Sequence, residues 1–303
     1  MKSPYKVCIQ LLLILIPLLA LLAPAKPVYA NPDTPSAGGT FVVGLSNEDN
    51  NQADIGLTLR EALLLARGGT GPNGLNRGLD IGETLGVSGC HMGIDGGSGK
   101  AVILDGCGEG VVDTIKFSTY GGYDVFEVHA TLPAISDSAP TIIDGTGASL
   151  TPIIDLSANQ MTQGLTVNSS NNIIKGIIVR GGRCNNGVYC PALYGLGLNG
   201  DNNMVSNLSI RNIQGSGIFI EGEGNIIDGV GVGVPAGNLA ICPPFLPGFN
   251  SGVAGDGIYF STGAKNNTVR NSRIGCNGSA EHGDGIHITS GNQGTVIGPN
   301  NRI

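Results

Sequence analysis

A short apolar phrase that opens with glycine recurs five times along the chain, and this repeat limits what the chain can fold into. The phrases are GLTV (164–167), GLGL (195–198), GIFI (217–220), GIYF (257–260) and GIHI (285–288). An asparagine-led block follows each of the first four: NIIKGIIV, NMVSNLSI, NIIDGVGV and NTVRNSRI. Units of this kind bury their apolar side only by stacking on a neighbour. Short apolar strands between Gly and Asn turns therefore predict an all-β fold, a parallel β-helix solenoid.

Alternation along each strand predicts which side chains enter the core. Successive strand residues face opposite sides, so Ile218 and Ile220 point one way and Phe219 the other. The predicted inward residues are Leu165, Val167, Leu196, Leu198, Ile218, Ile220, Ile258, Phe260, Ile286 and Ile288, with a second column of Val179, Ile210, Val232 and Ile274. Each buried aliphatic side chain contributes about 1.5–3 kcal/mol, which explains how so Gly-rich a chain folds.

The asparagines that open the blocks are expected to align at one corner of the coil. They are Asn172, Asn203, Asn225 and Asn267. Stacked amides can hydrogen-bond along such a column, as in other stacked parallel strands, and the bonds would use the groups that a ligand needs. Gly or Asn at 176, 207, 229 and 271 supplies a left-handed turn just downstream. Both columns are predicted to be structural.

Composition excludes several classes of protein. The chain has 303 residues with 51 Gly, no Trp, 13% charged residues and a net charge of −7. No Gly-x-y register supports collagen, and 41% hydrophobic residues argue against disorder. Nucleic-acid binding needs clustered Lys and Arg, which the sequence lacks.

Residues 1–30 are predicted to be a signal peptide. Lys2 and Lys6 precede an apolar stretch from Leu11 to Ala23, and cleavage is expected between Ala30 and Asn31. The alternative, a membrane anchor, is weakened by prolines in a run already short for spanning. Residues 31–39 then form a linker. We expect a secreted or cell-surface protein that meets the membrane only through the cleaved signal or a further C-terminal region.

Export gives the six remaining cysteines a structural meaning, because an even number in an oxidising compartment suggests disulfides. Proximity in sequence favours three pairs: Cys184 with Cys190, Cys90 with Cys107, and Cys242 with Cys276. Metal binding is the weaker alternative, since the sequence has no CxxC and its four His are scattered.

The segment TLREALLLAR (58–67) predicts the one convincing helix of the mature chain. Thr58 and Glu61 have the spacing of a capping box, and Gly68 and Gly69 close the helix. Leu59, Ala62, Leu63 and Ala66 share one face. With the strand that starts near Phe41, this helix is expected to cap the first coil over residues 40–67.

These segments carry a family resemblance. LTLREALLLAR, followed by DTIKF (113–117), TLPAIS (131–136) and TIIDG (141–145), resembles the CSLREA domain of secreted bacterial β-helix proteins over residues 40–147. The later repeats resemble the right-handed β-helix of pectin-lyase-like proteins. Two departures stand out: Leu57 replaces the family's leading Cys, and a Gly-rich insert occupies residues 68–110. The resemblance implies a right-handed parallel β-helix over 111–303 and says little about activity.

The repeated GDGI places Asp256 and Asp284 each just before a strand. If the two strands are adjacent, the carboxylates lie close enough to share a proton, bind Ca²⁺ or serve as a glycosidase pair. The alternative is ordinary turn chemistry, since Asp beside Gly is common in turns. No metal site or cofactor is predicted otherwise.

An outward column of Phe219, Tyr259 and His287 is expected to run beside these carboxylates. A strip of exposed rings can contact a sugar chain. The alternative is that the inserts at 183–194 or 235–255 fold over the strip and bury it.

Two functions follow from these features. The first is a non-catalytic adhesion or glycan-binding scaffold, with a polysaccharide or cell-surface glycan as partner. The second is a polysaccharide lyase or glycoside hydrolase acting on acidic polysaccharide, for which no recognisable lyase or polygalacturonase motif is present. Fold alone does not decide between them. The sequence stops at GPNNRI in mid-pattern, so we expect the coil to continue in a longer chain.

Overall fold

The computed structural model describes residues 38–44, 56–118, 124–157, 163–181, 194–234, 252–278 and 283–303. The predicted signal peptide, with its cleavage position at Ala30 and Asn31, and Cys184, Cys190 and Cys242 lie outside these residues. The described residues belong to one compact unit that spans 37–303. None of their helices is both long and apolar enough to cross a membrane.

Strands dominate the described residues, with two helices near the start. The helices are α1 (Leu59–Gly68) and α2 (Ile81–Thr84). The strands are β1 (Thr40–Val43), β2 (Val87–Ser88), β3 (His91–Ile94), β4 (Ala101–Asp105), β5 (Asp113–Phe117), β6 (Val125–Glu127), β7 (Thr141–Asp144), β8 (Ile153–Asp155), β9 (Leu165–Val167), β10 (Ile173–Lys175), β11 (Ile178–Arg180), β12 (Tyr194–Leu198), β13 (Met204–Ser206), β14 (Ser209–Arg211), β15 (Ser216–Ile220), β16 (Ile226–Asp228), β17 (Gly231–Val232), β18 (Ile258–Phe260), β19 (Thr268–Arg270), β20 (Arg273–Ile274), β21 (Ile286–Ile288) and β22 (Val296–Ile297).

The strands form three large sheets, in which every pairing is parallel except that of β1 with β2. Sheet A has the order β2-β1-β5-β7-β10-β13-β16-β19-β22, sheet B has β20-β17-β14-β11-β8-β6, and sheet C has β21-β18-β15-β12-β9. From β9 onward the chain visits C, A and B in turn, so three successive strands make one repeat. The predicted parallel, all-β architecture is confirmed.

Equivalent residues of successive repeats pair with each other, which stacks their aliphatic side chains. Leu196 is in register with Leu165 on one side and with Ile218 on the other. All three sheets contribute to one buried cluster, in which Ile218, Val205 and Ile210 are fully buried. The opening glycines are needed for this packing, since a Cβ at Gly217 would lie 2.2 Å from a methyl carbon of Val232.

Two predicted core residues depart from the pattern. Ile286 is only partly buried, and Ile288 is 45% exposed. Both lie on β21, which ends sheet C and pairs with β18 on one side only. The other predicted inward residues are buried, because strands flank them on both sides or helices and turns cover them. The left-handed turn is confirmed at Gly176, Asn207, Gly229 and Asn271, with φ of 69°, 49°, 67° and 53°.

Helix α1 begins with the predicted capping box. The Thr58 hydroxyl accepts from the Glu61 backbone N–H, and the Glu61 carboxylate accepts from the Thr58 N–H at 2.9 Å. Gly69 closes the helix with a positive φ of 57°. The predicted face of Leu59, Ala62, Leu63 and Ala66 is buried, and the helix packs against β1 and β5.

The Gly-rich insert has more structure than its composition indicates. It holds α2 and an antiparallel pair of β3 with β4, and it supplies β2 to the edge of sheet A. The predicted disulfide between Cys90 and Cys107 is present. Cys276 is also disulfide-bonded, and its predicted partner Cys242 lies outside the described residues.

Candidate functional site

The predicted outward column on sheet C forms a continuous stack of rings. Phe219 pairs in register with Tyr259, and Tyr259 with His287. The Phe219 and Tyr259 ring centroids lie 5.7 Å apart with planes 10° from parallel. The Tyr259 and His287 rings are 5.1 Å apart and tilted by 35°. Phe219 and Tyr259 are half-buried, so the column keeps an exposed edge.

A fourth ring, which the sequence prediction missed, extends the column. On β12 the register position of Phe219 is Gly197, which has no side chain. The Tyr194 ring lies over this glycine, where a Cβ would come within 2.5 Å of Tyr194 Cε2. Tyr194 stacks on Phe219 at 5.6 Å, and its hydroxyl lies 3.2 Å from Thr166 Oγ1. Gly197 was the sequence signal for this fourth ring, because a strand position without a side chain leaves space that the bulky Tyr194 side chain fills.

Stacking changes what this column offers to a ligand. The ring faces cover each other, so solvent meets the ring edges. Ring edges carry the positive end of the aromatic quadrupole and suit oxygen atoms, while their C–H groups remain apolar. We name the four side chains Tyr194, Phe219, Tyr259 and His287 the aromatic ladder.

Asp256 and Asp284 meet at the end of the aromatic ladder, as predicted. The Asp284 backbone N–H donates to Asp256 Oδ1 at 2.8 Å. His287 Nδ1 lies 3.3 Å from Asp284 Oδ2 and 3.8 Å from Asp256 Oδ2. The side chain of Asp256 is 12% exposed, that of Asp284 70% and that of His287 41%. The local chain explains the meeting, because each Asp lies one glycine before a strand of sheet C, and the two strands are paired in register.

This cluster has three chemical uses. One ligand atom from each of Asp256, Asp284 and His287 lies within 4.8 Å of the others, a spacing that suits a divalent cation such as Ca²⁺. Two nearby carboxylates also match the general layout of glycosidases. Carboxylate and imidazole groups can equally accept hydrogen bonds from sugar hydroxyls.

The asparagine column is consumed by the fold, as predicted. Asn172, Asn203, Asn225 and Asn267 are at most 1% exposed. The Oδ1 atoms of Asn203, Asn225 and Asn267 each accept from the backbone N–H of the preceding asparagine in the column at 2.8 Å. Only one bond among these four joins two side chains, from Asn172 Nδ2 to Asn203 Oδ1 at 2.9 Å. The asparagine column is therefore held together chiefly by hydrogen bonds from backbone N–H groups to side-chain oxygens.

A strongly shifted pKa occurs away from this site. Burial raises the pKa of Asp113, which is fully buried at the start of β5, to about 7. Its carboxyl accepts from the Gly108 N–H at 2.6 Å and the Gly39 N–H at 2.8 Å, which favour the charged form without offsetting burial. Asp113 ties β1 to the insert and is a structural group.

Comparison with known proteins adds no relative. No protein-family model matches the chain, and no curated protein or solved structure matches it.

Proposed function

We propose that this chain is a secreted or cell-surface protein whose three sheets wind as a right-handed parallel β-helix and which binds glycans through the aromatic ladder. The supporting observation is the ladder itself, four stacked rings that end at two carboxylates. The cyclic order of strands through sheets C, A and B supports the winding, and right-handed crossovers are the rule for parallel strands. The capped helix α1 supports an N-terminal module of CSLREA type.

The ladder has the chemistry of a sugar-binding strip. A glycan presents C–H patches and hydroxyl groups side by side. The exposed ring edges of Phe219 and Tyr259 offer apolar contact, and they sit on strands that hold them in fixed register. Rings held by strands lose little conformational entropy when a ligand binds, which favours affinity.

The cluster at the end of the ladder supplies the polar half of the site. Asp284 is exposed and stands beside His287, so both can bond hydroxyls of a sugar lying on the strip. Asp256 is mostly buried and accepts from the Asp284 backbone, so it positions this corner. Secretion is supported by the Cys90–Cys107 disulfide, because such bonds persist in oxidising compartments.

Glycan-array binding followed by calorimetry on the best ligand tests this proposal. Tyr259→Ala and Phe219→Ala remove ring surface and are expected to weaken binding about tenfold or more. Tyr259→Phe keeps the ring and is the matched control, with affinity expected within about twofold. Circular dichroism and thermal melting verify that each variant folds. Equal affinity for the folded alanine variants and the unchanged protein would reject the ladder as the binding surface.

A second function, a polysaccharide lyase or hydrolase, is favoured by one observation: the meeting of Asp256, Asp284 and His287. Incubation with polyuronides separates the two functions. A hydrolase releases reducing ends, and a lyase also creates an unsaturated product that absorbs in the ultraviolet. We expect neither signal. Turnover that Asp284→Asn abolishes would replace the binding function by catalysis.

A further inference from the structure

The outer face of sheet B carries a notch. Outward side chains there lie in one row across successive strands: Ile178 is in register with Ser209, Ser209 with Gly231, and Gly231 with Arg273. Because Gly231 has no side chain, the row is interrupted between a hydroxyl and a guanidinium. The resulting cavity has a volume of about 350 Å³, and its lining includes Ile178, Ser209, Gly231, Val234, Asn271 and Arg273.

The Ser209 hydroxyl marks the notch as a ligand site. Ser209 is only 9% exposed, and its Oγ has no hydrogen-bond partner among the described residues. This oxygen lies 4.0 Å from where a Cβ of Gly231 would be. Buried polar atoms are normally hydrogen-bonded, so an unpaired one in a cavity wall points to a polar group that enters the cavity.

Positive charge gathers at one side of the notch. Arg273 and Arg302 are in register as neighbours, and both are exposed. Neither forms an ion pair with any described residue. Like charges placed side by side repel each other, so this pair favours an anion between them. On the neighbouring sheet A, by contrast, Lys175 and Arg270 pair with Asp144 and Asp228.

We propose that this notch binds an anionic sugar unit, one that carries a carboxylate or a sulfate. Arg273 and Arg302 contact the anionic group, and the Ser209 hydroxyl bonds a ring substituent. Ile178 and Val234 contact the apolar side of the sugar ring. A cavity of about 350 Å³ exceeds what a lone phosphate or sulfate fills, and its mixed wall suits a sugar ring.

This site is separate from the aromatic ladder, since it lies on sheet B and shares no residue with it. The two proposals therefore fail independently. Tyr259→Ala is expected to leave binding at the notch unchanged, and changes in the notch are expected to leave the ladder unchanged.

The test fills the notch without disturbing the fold. A Cβ at Gly231 would have no atom nearer than 3.8 Å, and the backbone there is not in the left-handed region. Gly231→Val is therefore expected to fold and to block the cavity, and Gly231→Ala to block it in part. Arg273→Gln removes one positive charge. Arg270→Gln is the matched control, an arginine paired with Asp228 on sheet A.

Calorimetry in the Tyr259→Ala background, which impairs the aromatic ladder and leaves the notch unchanged, gives the readout. The ligands are an oligogalacturonate, a sulfated glycosaminoglycan fragment and a neutral oligosaccharide of equal length. We expect one anionic ligand to bind and the neutral one not to bind. Gly231→Val and Arg273→Gln are expected to weaken binding at least about tenfold, and Arg270→Gln to leave it within about twofold. Which anionic ligand binds identifies the carboxylate or the sulfate as the recognised group. Failure of both anionic ligands to bind, equal binding of the neutral sugar, or unchanged binding by folded Gly231→Val overturns the proposal.

Discussion

A single buried carboxyl, Asp113, links the start of the sheets to the disulfide-bonded insert. It holds the backbone N–H groups of Gly39 and Gly108, the latter next to Cys107. Burial raises its pKa to about 7. The folded protein therefore keeps a proton on this group at pH values where the unfolded chain has released it.

Stability is therefore expected to fall as pH rises through the interval between the two pKa values of Asp113. Its contribution is full below the unfolded pKa of about 4, declines up to the folded pKa of about 7, and is constant above it. Asp113→Asn removes the titrating proton, so the decline is expected to become shallower. Urea unfolding at several pH values across this interval measures it.

Asp144 is the control for this prediction, because its pKa is lowered in the folded protein, whereas that of Asp113 is raised. Although burial raises the pKa of Asp144, hydrogen bonds from Thr146 and then Lys175 lower it overall. Asp144→Asn is thus expected to keep the decline that Asp113 causes. A decline of equal slope in Asp113→Asn and in the unchanged protein would contradict the assignment.

Between elements, one arginine holds the two helices together. Glu61 of α1 and Glu83 of α2 close the capping boxes of their helices, and both are fully buried. The Arg77 guanidinium contacts both carboxylates, Glu61 at 2.5 Å. Burial raises the pKa of Glu61, while the hydrogen bond from the Thr58 backbone N–H and the charge of Arg77 favour its charged form. The cap of the sheets is therefore held together by a buried ion cluster as well as by apolar packing.

Arg77→Met is expected to destabilise the protein by about 3–5 kcal/mol at neutral pH, because it leaves two buried carboxylates without their positively charged partner. The loss is expected to shrink in acid, where the Glu61 carboxyl, whose pKa is raised by burial, accepts a proton. Urea unfolding at neutral and acidic pH measures both effects. Arg67→Met is the matched control, since half-buried Arg67 donates to the Asn73 carbonyl at 2.7 Å and pairs with no carboxylate of the described residues. Similar losses for the two variants would show that the ion cluster contributes nothing specific.

Sequence reasoning succeeded where a feature is local and failed where it depends on distant parts of the chain. Helix α1 was predictable, because the Thr58–Glu61 spacing and the apolar face lie within one segment. Helix α2 was missed, although Asp80 and Glu83 have capping-box spacing, because its four residues have no periodicity. The contact of Arg77 with two glutamates was not predictable from the sequence, since only the fold brings the three residues together.

At the scale of the whole molecule, the recurring apolar phrase predicts the parallel sheets. The position of a strand within its sheet affects how deeply its inward side chains are buried. Strand alternation assigned the inward residues correctly on every strand that holds them except β21. Ile286 and Ile288 depart from the rule on β21, whose strand partner within the described part of the chain is β18 alone. Strand alternation did not predict the place of Tyr194 in the aromatic ladder, because its ring lies over a different strand position, Gly197.

The loss in free energy of unfolding when one inward side chain is shortened is therefore expected to depend on the position of its strand in the sheet. Ile220 and Ile288 occupy the same column of sheet C, separated by Phe260. Ile220 is fully buried between two strands, whereas Ile288 is 45% exposed. Ile220→Ala is expected to cost about 2–5 kcal/mol, because it leaves a cavity between repeats. Ile288→Ala is expected to cost less than about 1 kcal/mol, because solvent already reaches the site.

Urea unfolding of both variants measures the two losses in free energy of unfolding. The substitution is Ile to Ala in each, so the difference reports the position in the sheet. In an array where each repeat contacts only its neighbours, stability is a sum of repeat and interface contributions. Ile220→Ala removes contacts with two interfaces, and Ile288→Ala with one. Equal losses would mean that the repeats unfold without regard to their position, and that stacking between neighbouring repeats is not what stabilises the sheets.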